Sequence, residues 1–402
     1  MKKHILVVSQ YFHPEPFRIN DICKDLVKRG YKVTVLTGIP NYPEGKFYPG
    51  YSWFKRRKET WEGIDIIRIP LLPRGKTSVG MVLNYFSFVV SGFFWKLFTR
   101  LKADVIFSFE TSPMTQVLIS VWYAKRRKLR HILYVQDIWP ERVVMATGIK
   151  TELIIGPLRK MSTYIYRNTD KILTTSPSFR EDIRSYIPDT PEKVDYWPQY
   201  AEEFYRPLPR AATPEIPDNG KFKVIFTGNI GQTLGLDVLV RTATLLKDQP
   251  VEFVIVGDGR YREQMERYIQ ELDVQESFRM IPRQPAERIP ELLAACDAAF
   301  ASFMDNKTIS AKLQSYLACG MPVIAADDGE TRRIVQEAIC GLCCAFGDEK
   351  GLAEIICQMM SHPELPEMKK RARAYFEANF EKTMLMDELE VLLKRMIKEE
   401  EQ

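Results

Sequence analysis

Two doubly wound α/β domains, each a parallel sheet covered by helices, are what three observations on this chain predict. Its 402 residues are too many for one ordinary core and suit two domains of about 200 residues each. Short, nearly continuous apolar runs alternate with amphipathic stretches, as strands buried on both faces and joined by crossover helices do. A stretch at residues 198–220 holds five prolines, ends in Asn219-Gly220 and interrupts the alternation, so it reads as the connection between domains.

Each element follows in order. In the first half, strands are expected at His4–Phe12, Lys32–Gly38, Ile64–Ile69, Asp104–Glu110, His131–Asp137, Lys171–Ser176 and Val194–Trp197. Helices fall between most of them, among them Arg18–Arg29, Pro113–Arg127 and Glu152–Asn168. The second half repeats the alternation with strands at Lys223–Thr227, Glu252–Val256, Phe278–Ile281, Ala298–Ser302 and Val323–Ala326. An amphipathic helix from about Lys382 to Glu400 closes the chain. The expected division is a first domain at 1–200, a linker at 201–220, a second domain at 221–380 and the helix at 381–402. Two such domains facing each other leave a cleft at the strand C-terminal ends, where ligands bind in sheets of this kind.

Composition narrows the class. With 45% hydrophobic and 27% charged residues the chain is globular. Seven scattered cysteines show no metal-ligand spacing and suit a reducing compartment; Cys343-Cys344 reads as core packing. Met1-Lys2-Lys3-His4 leads directly into the first strand, so no signal peptide is expected. Net charge is uneven: residues 1–200 carry +14 and residues 201–402 carry −9. A basic first half points to an anionic surface, either nucleic acid or a membrane leaflet.

Residues 79–95 form an unusual apolar run, followed by Lys96, Arg100 and Lys102. A buried crossover helix, a helix in the membrane interface and a transmembrane span are all compatible with it. A span needs about 20 apolar residues, and Asn84, Ser87 and Ser91 interrupt this one. The basic runs Lys55–Lys58 and Lys125–Lys128 favour the interface, although solvated surface charge gives the same pattern.

Two segments carry the chemistry. Val224–Asn229 continues into Gly231 as a strand running into a glycine-broken turn. Lys312–Pro322 is a short helix ending at Gly320, ahead of the strand Val323–Ala326. Strand–glycine–helix turns expose backbone N–H groups where a phosphate can sit. Together the two segments make a nucleotide-sugar pocket a candidate.

At these residues the chain resembles the GT-B glycosyltransferases, specifically glycosyltransferase family 4, over nearly its whole length. The resemblance is carried by YFHPEPFRIN and the PNYP-G element near the start, VQDIWPE at 135–141, FTGNIGQ, VGDG at 256–259, and AKLQSYLACGMPVIA. The early elements resemble bacterial O-antigen, capsule and colanic-acid transferases, including those of L-fucosamine. The resemblance implies a GT-B fold, with a C-terminal helix able to return to the first domain. It also implies transfer from a UDP-sugar with retained configuration and with no metal or other cofactor. The sugar would be an N-acetylated 6-deoxyhexose and the acceptor a polyprenyl-diphosphate-linked saccharide. The enzyme would be cytoplasmic, peripheral on the inner face of the membrane.

Such a reaction needs positive charge where the diphosphate departs. The donor-binding candidates are backbone groups at Gly228, Gly231, Gly257 and Gly259, with Arg283 and Lys312 as cations and Asn229 and Gln232 as hydrogen-bonding groups. In the first domain, His13 and Glu15 can handle a proton, and Arg18 can pair with an anion. Asp137 and Glu141 close a central strand, where Asp137 either works on the acceptor or caps the next helix. Glu110 is a weaker candidate that could reach solvent. Arg126, Arg127 and Lys128 are the docking cations.

The chain departs from the family at two places. Family 4 commonly carries two glutamates eight positions apart, and here Lys307 and Ser315 occupy those positions. The common Arg and Lys of the first phosphate loop are replaced by Ile230-Gly231-Gln232 and Leu234-Gly235. Gln314 and Glu330 are candidate substitutes near ribose and sugar. The losses keep a non-catalytic, donor-binding scaffold in view, beside an epimerase or hydrolase on the same fold. Nucleic acid is the weakest partner, since the basic runs lack interleaved aromatics.

Overall fold

The computed structural model describes residues 2–75 and 77–398, so the last two residues of the expected terminal helix lie outside it. The chain divides into two compact units. Unit 1 comprises Met1–Thr175, Phe179–Trp197 and Met386–Gln402; unit 2 comprises Ser176–Ser178 and Pro198–Leu385.

Unit 1 is built on β1 (His4–Val8), β2 (Lys32–Thr37), β3 (Lys58–Trp61), β4 (Ile64–Arg68), β5 (Val105–Glu110), β6 (His131–Val135), β7 (Lys171–Thr174) and β8 (Val194–Tyr196). Their order is β3-β4-β2-β1-β5-β6-β7-β8, parallel except for the antiparallel edge pair β3–β4. The apolar runs place strands as expected; β5 ends at Glu110 as read, and the other six end one to four residues earlier. The edge strand β3 was not expected. Its sequence KETW is polar and half exposed, so it carries no apolar signal.

Unit 2 is built on β9 (Phe222–Thr227), β10 (Val251–Val256), β11 (Phe278–Ile281), β12 (Ala298–Ser302), β13 (Val323–Ala326) and β14 (Gly341–Cys344). All six run parallel in the order β11-β10-β9-β12-β13-β14. Strand β14, GLCC, holds no β-branched or aromatic residue and so gives no strand signal; it buries Cys344 and half-buries Cys343. Strand direction reverses its lateral progress between β9 and β12, which makes their C-terminal ends the topological switch point of this sheet. The corresponding point in unit 1 lies between β1 and β5.

The proline-rich stretch belongs to unit 2, where Tyr200, Ala201 and Ile216 are buried. The terminal helix Lys382–Lys398 contributes its larger part to unit 1, where Arg29 bonds Asp387 at 2.6 Å and Glu390 at 2.8 Å.

Helix Ser78–Phe98 corrects the buried-crossover reading of the apolar run. Only Asn84, Phe88 and Gly92 are buried, a single stripe four residues apart. A Cβ at Gly92 would lie 2.2 Å from Ile119 Cδ1, so this glycine lets the helix lie close against its neighbour. Asn84 Nδ2 donates to the Leu72 carbonyl at 2.6 Å, and Asn84 Oδ1 accepts from Gln10 Nε2 at 2.7 Å. Val79, Val82, Leu83, Phe86, Val90 and Phe94 are left exposed.

Candidate active site

The end of β9 is where the two motif segments meet. Gly228 follows the strand with φ +124°, a backbone that L side chains rarely adopt. A Cβ there would stand 2.5 Å from Lys312 Cε, so Lys312 lies directly on the turn. Lys312 occupies the first turn of helix Ala311–Ala318, and its Nζ stands 4.9 Å from the Phe226 ring centroid. Among the described residues no carboxylate pairs with it. Burial alone pulls its pKa down to about 8. In the same helix, Tyr316 OH accepts from Thr227 N at 2.9 Å and fixes the strand end.

The VGDG segment supports this turn instead of adding separate donors around it. A Cβ at Gly257 would lie 1.8 Å from the Gly228 carbonyl oxygen, and Ile230 N donates to Asp258 O at 2.8 Å. A Cβ at Gly259 would lie 2.2 Å from the Ile230 carbonyl oxygen. These glycines let two loops stack. Asn229 and Gln232 are exposed on the outer loop and Gly231 is half-buried. Arg283 is exposed just beyond β11, at the end of the sheet away from the switch point.

The proposed substitutes for the missing glutamates are engaged elsewhere. Gln314 is buried and its Nε2 donates to Gln199 O at 2.7 Å. Ser315 Oγ donates to Ala311 O at 3.2 Å, within its own helix, and Lys307 is exposed. Glu330 is buried; Oε1 accepts from Ser178 N at 2.9 Å, and Oε2 pairs with Arg333 at 2.8 Å. Two groups at this edge escaped sequence reading. Ser302 Oγ ends β12 buried without a hydrogen-bond partner, and Asp327 follows β13 with its pKa raised by burial. The signal for Asp327 was available: a carboxylate closing a buried strand, the same pattern that singled out Asp137.

In unit 1 the candidate carboxylates are largely structural. Glu15 Oε1 accepts from Asn41 N at 2.8 Å and Tyr42 N at 2.7 Å, and Oε2 accepts from Phe12 N at 3.3 Å. It therefore ties the first loop to the PNYP loop. Burial pushes its pKa up to about 7 against these donors, which favour the anion. His13 stacks on Trp61 at 4.1 Å, and burial lowers its pKa. Arg18 is half-buried at the start of helix Arg18–Lys28.

Asp137 does not cap a helix: the cap of Glu141–Thr147 is Pro140. Instead Asp137 Oδ2 accepts from Ser112 Oγ at 2.8 Å and Ser112 N at 3.1 Å, while Oδ1 meets Arg142 Nε at 3.3 Å. Glu110 does not reach solvent. It is fully buried, its pKa is held well above the usual range by burial and then by Asp137, and its Oε1 has no hydrogen-bond partner. Glu141 Oε1 accepts from Tyr186 OH at 2.7 Å.

Two of the expected docking cations have another role. Arg126 donates to Lys96 O and, at 2.7 Å, to Leu97 O; Arg127 Nη2 donates to Thr99 O at 2.8 Å. They cap the C-terminal carbonyls of helix Ser78–Phe98. Lys128, in the left-handed region at φ +58°, is exposed.

Comparison with known proteins agrees with this architecture. Residues 17–198 match the family described as Glycosyl transferase 4-like domain, and residues 212–375 match Glycosyl transferases group 1. The chain is 27% identical over 316 residues to WcaI of Escherichia coli (strain K12), named for colanic acid biosynthesis glycosyl transfer, covering 73% of this chain and 75% of that one. It is 24% identical over 340 residues to WbjE of Pseudomonas aeruginosa, named as a glycosyltransferase, covering 82% of each. Sucrose-phosphate synthase from Thermosynechococcus elongatus superimposes with TM-score 0.79 at 14% identity, covering 99% of this chain and 100% of that one. Anabaena Alr3699/HepE in complex with UDP superimposes with TM-score 0.70 at 14% identity, covering 98% of this chain and 100% of that one. At these identities the structures show the fold, which is GT-B.

Proposed function

We propose that this chain, a glycosyltransferase built from a glycosyl transferase 4-like domain and a glycosyl transferases group 1 domain, moves a sugar from a UDP-sugar to a polyprenyl-diphosphate-linked saccharide. The carrying observation is Lys312, a cation without a carboxylate partner, lying on the Gly228 turn at the switch point of unit 2. A departing diphosphate supplies the anion this arrangement lacks. UDP as carrier is supported by the UDP complex of the structural neighbour, and a polysaccharide setting by the names of the relatives.

In this scheme the bond from the anomeric carbon to the diphosphate oxygen breaks while Lys312 and the turn N–H groups take up the developing charge. The acceptor hydroxyl attacks from the same face, and its proton passes to the leaving phosphate oxygen. Configuration is retained, and the chain's own groups meet the charge without a metal. The donor sugar is an N-acetylated 6-deoxyhexose of the L-fucosamine type. Asp137, pinned by Ser112 and Arg142, orients the acceptor. Asp137→Asn is expected to lower turnover with UDP affinity unchanged; unaltered turnover returns Asp137 to a structural role.

The enzyme works from the cytoplasmic face of the membrane, with the exposed apolar side of helix Ser78–Phe98 in the interface. Its Asn84–Phe88–Gly92 stripe ties the helix to unit 1, which supports lying in the interface over crossing it.

The test is transfer to detergent-dispersed polyprenyl-diphosphate-GlcNAc from a UDP-sugar panel that includes UDP-N-acetyl-L-fucosamine, read by mass spectrometry. A gain of one sugar is expected. UDP binding with no gain from any donor would instead favour a donor-binding scaffold, the reading to which Lys307 and Ser315 at the glutamate positions give weight.

A further inference from the structure

A groove of about 750 Å³ runs in unit 1 between the C-terminal half of helix Ser78–Phe98 and the β3–β4 edge. Its lining combines the apolar Phe94, Trp95, Phe98 and Ile67 with the cations Arg57, Lys58 and Arg100. Among the described residues no carboxylate lines it, and the remaining cation, Arg68, is already paired with Glu59. Arg57 is held in place by its Nε, which donates to Arg68 O at 2.6 Å, and by its Nη1, which donates to Trp53 O at 3.1 Å. Lys58 and Arg100 are exposed, and no ion pair or hydrogen bond satisfies their side chains among the described residues. The apolar lining continues onto the open face of the helix, where Phe94 is 54% and Phe98 79% exposed.

Such a groove asks for two chemistries at once. A free phosphate would leave the aromatic lining in water, and a bare hydrocarbon would leave three cations without an anion. We propose that the groove binds the headgroup of an anionic phospholipid, its phosphate against Arg57, Lys58 and Arg100 and its acyl chain along Phe94 and Phe98. The site is distinct from the Gly228–Lys312 turn. It moves the docking cations from Arg126 and Arg127, which the fold uses as helix caps, to Arg57, Lys58 and Arg100 in the groove. The proposal rests on the membrane-interface part of the function above and is independent of the donor.

The experiment is flotation of the full chain at physiological salt with phosphatidylcholine vesicles and with vesicles that also contain phosphatidylglycerol. The triple variant Arg57→Gln, Lys58→Gln, Arg100→Gln is compared with a charge-matched control, Lys125→Gln, Lys128→Gln, Lys150→Gln. UDP titration of both variants checks that each is folded with an intact nucleotide site. The groove variant is expected to lose ~10-fold more affinity for the anionic vesicles than the control, whereas diffuse attraction would cost both the same. Phe94→Ser with Phe98→Ser is expected to weaken binding to both vesicle types. Equal loss in the two charge variants overturns the groove site while leaving membrane docking in place. Failure of the unaltered chain to float on either vesicle overturns docking and groove together, and leaves the transferase reading to its own assay. Release of the chain from vesicles by polyprenyl diphosphate, with no preference for phosphatidylglycerol, would assign the groove to the acceptor and overturn the phospholipid proposal.

Discussion

The two sheets finish their strands in opposite chemical styles. At the C-terminal edge of unit 1 the charged side chains are met within the chain or held neutral: Glu15 accepts three backbone N–H groups, Asp137 is held by Ser112 and Arg142, and Glu110, with one oxygen unpartnered among the described residues, has its pKa pushed well above the usual range by burial. At the same edge of unit 2 a cation lies against a bare glycine turn with no anion of its own. An edge whose charges are met from within is a scaffold on which shape is held. An edge with an uncompensated charge awaits a ligand, because a half-buried ammonium without a partner lowers stability unless something binds it.

Removing the charge should break this contrast most sharply. Lys312→Ala is expected to weaken UDP about 10- to 150-fold, the worth of a hydrogen bond to a charged group at about 1.5–3 kcal/mol. Calorimetry reads it directly, and unchanged affinity would place the diphosphate elsewhere. Next comes Gly228→Ala. The new Cβ would collide with Lys312 Cε on a backbone at φ +124°, so a loss of about 1–3 kcal/mol in stability and weaker UDP binding should appear together. A loss of stability without loss of UDP would separate the turn from the site.

On the unit 1 side, Asn84→Leu should cost about 1–3 kcal/mol by leaving Gln10 and the Leu72 carbonyl without their buried partner. Thermal unfolding with no shift would show that the helix is not anchored there. The smallest effect is expected at Glu110. Its folded pKa is raised, so ionisation opposes folding, and the unaltered chain loses stability as pH rises above the ordinary carboxylate value. Glu110→Gln removes that titration. It should be within about 0.5 kcal/mol of the original at pH 5 and gain on it toward pH 8. A constant penalty at both pH values would contradict a neutral Glu110.

Much of this was legible in the sequence, for a physical reason. Strands buried on both faces leave continuous apolar runs, so twelve of the fourteen strands and the switch-point glycine turn could be read directly, with small shifts at strand ends. Strands β3 and β14 could not, because one is polar at an edge and the other, GLCC, holds no β-branched or aromatic residue. Residue identity marked Lys312 and Asp137 as unusual, but partners decide what a charge does, and partners come from distant segments. Arg126 and Arg127 look like surface charge until the end of helix Ser78–Phe98 is placed beside them. Glu330 looks like a sugar ligand until Ser178 and Arg333 take both its oxygens.

The most direct measurement is UDP titration of the unaltered chain and of Lys312→Ala at pH 7 and pH 8.5. With the lysine pKa near 8 the neutral form grows as pH rises, so the charged, binding-competent fraction falls. The unaltered chain should lose about fourfold in affinity across that interval, and Lys312→Ala should bind weakly and equally at both pH values. Equal affinity in the two proteins, or the same pH dependence in both, would contradict Lys312 as the cation of the diphosphate site.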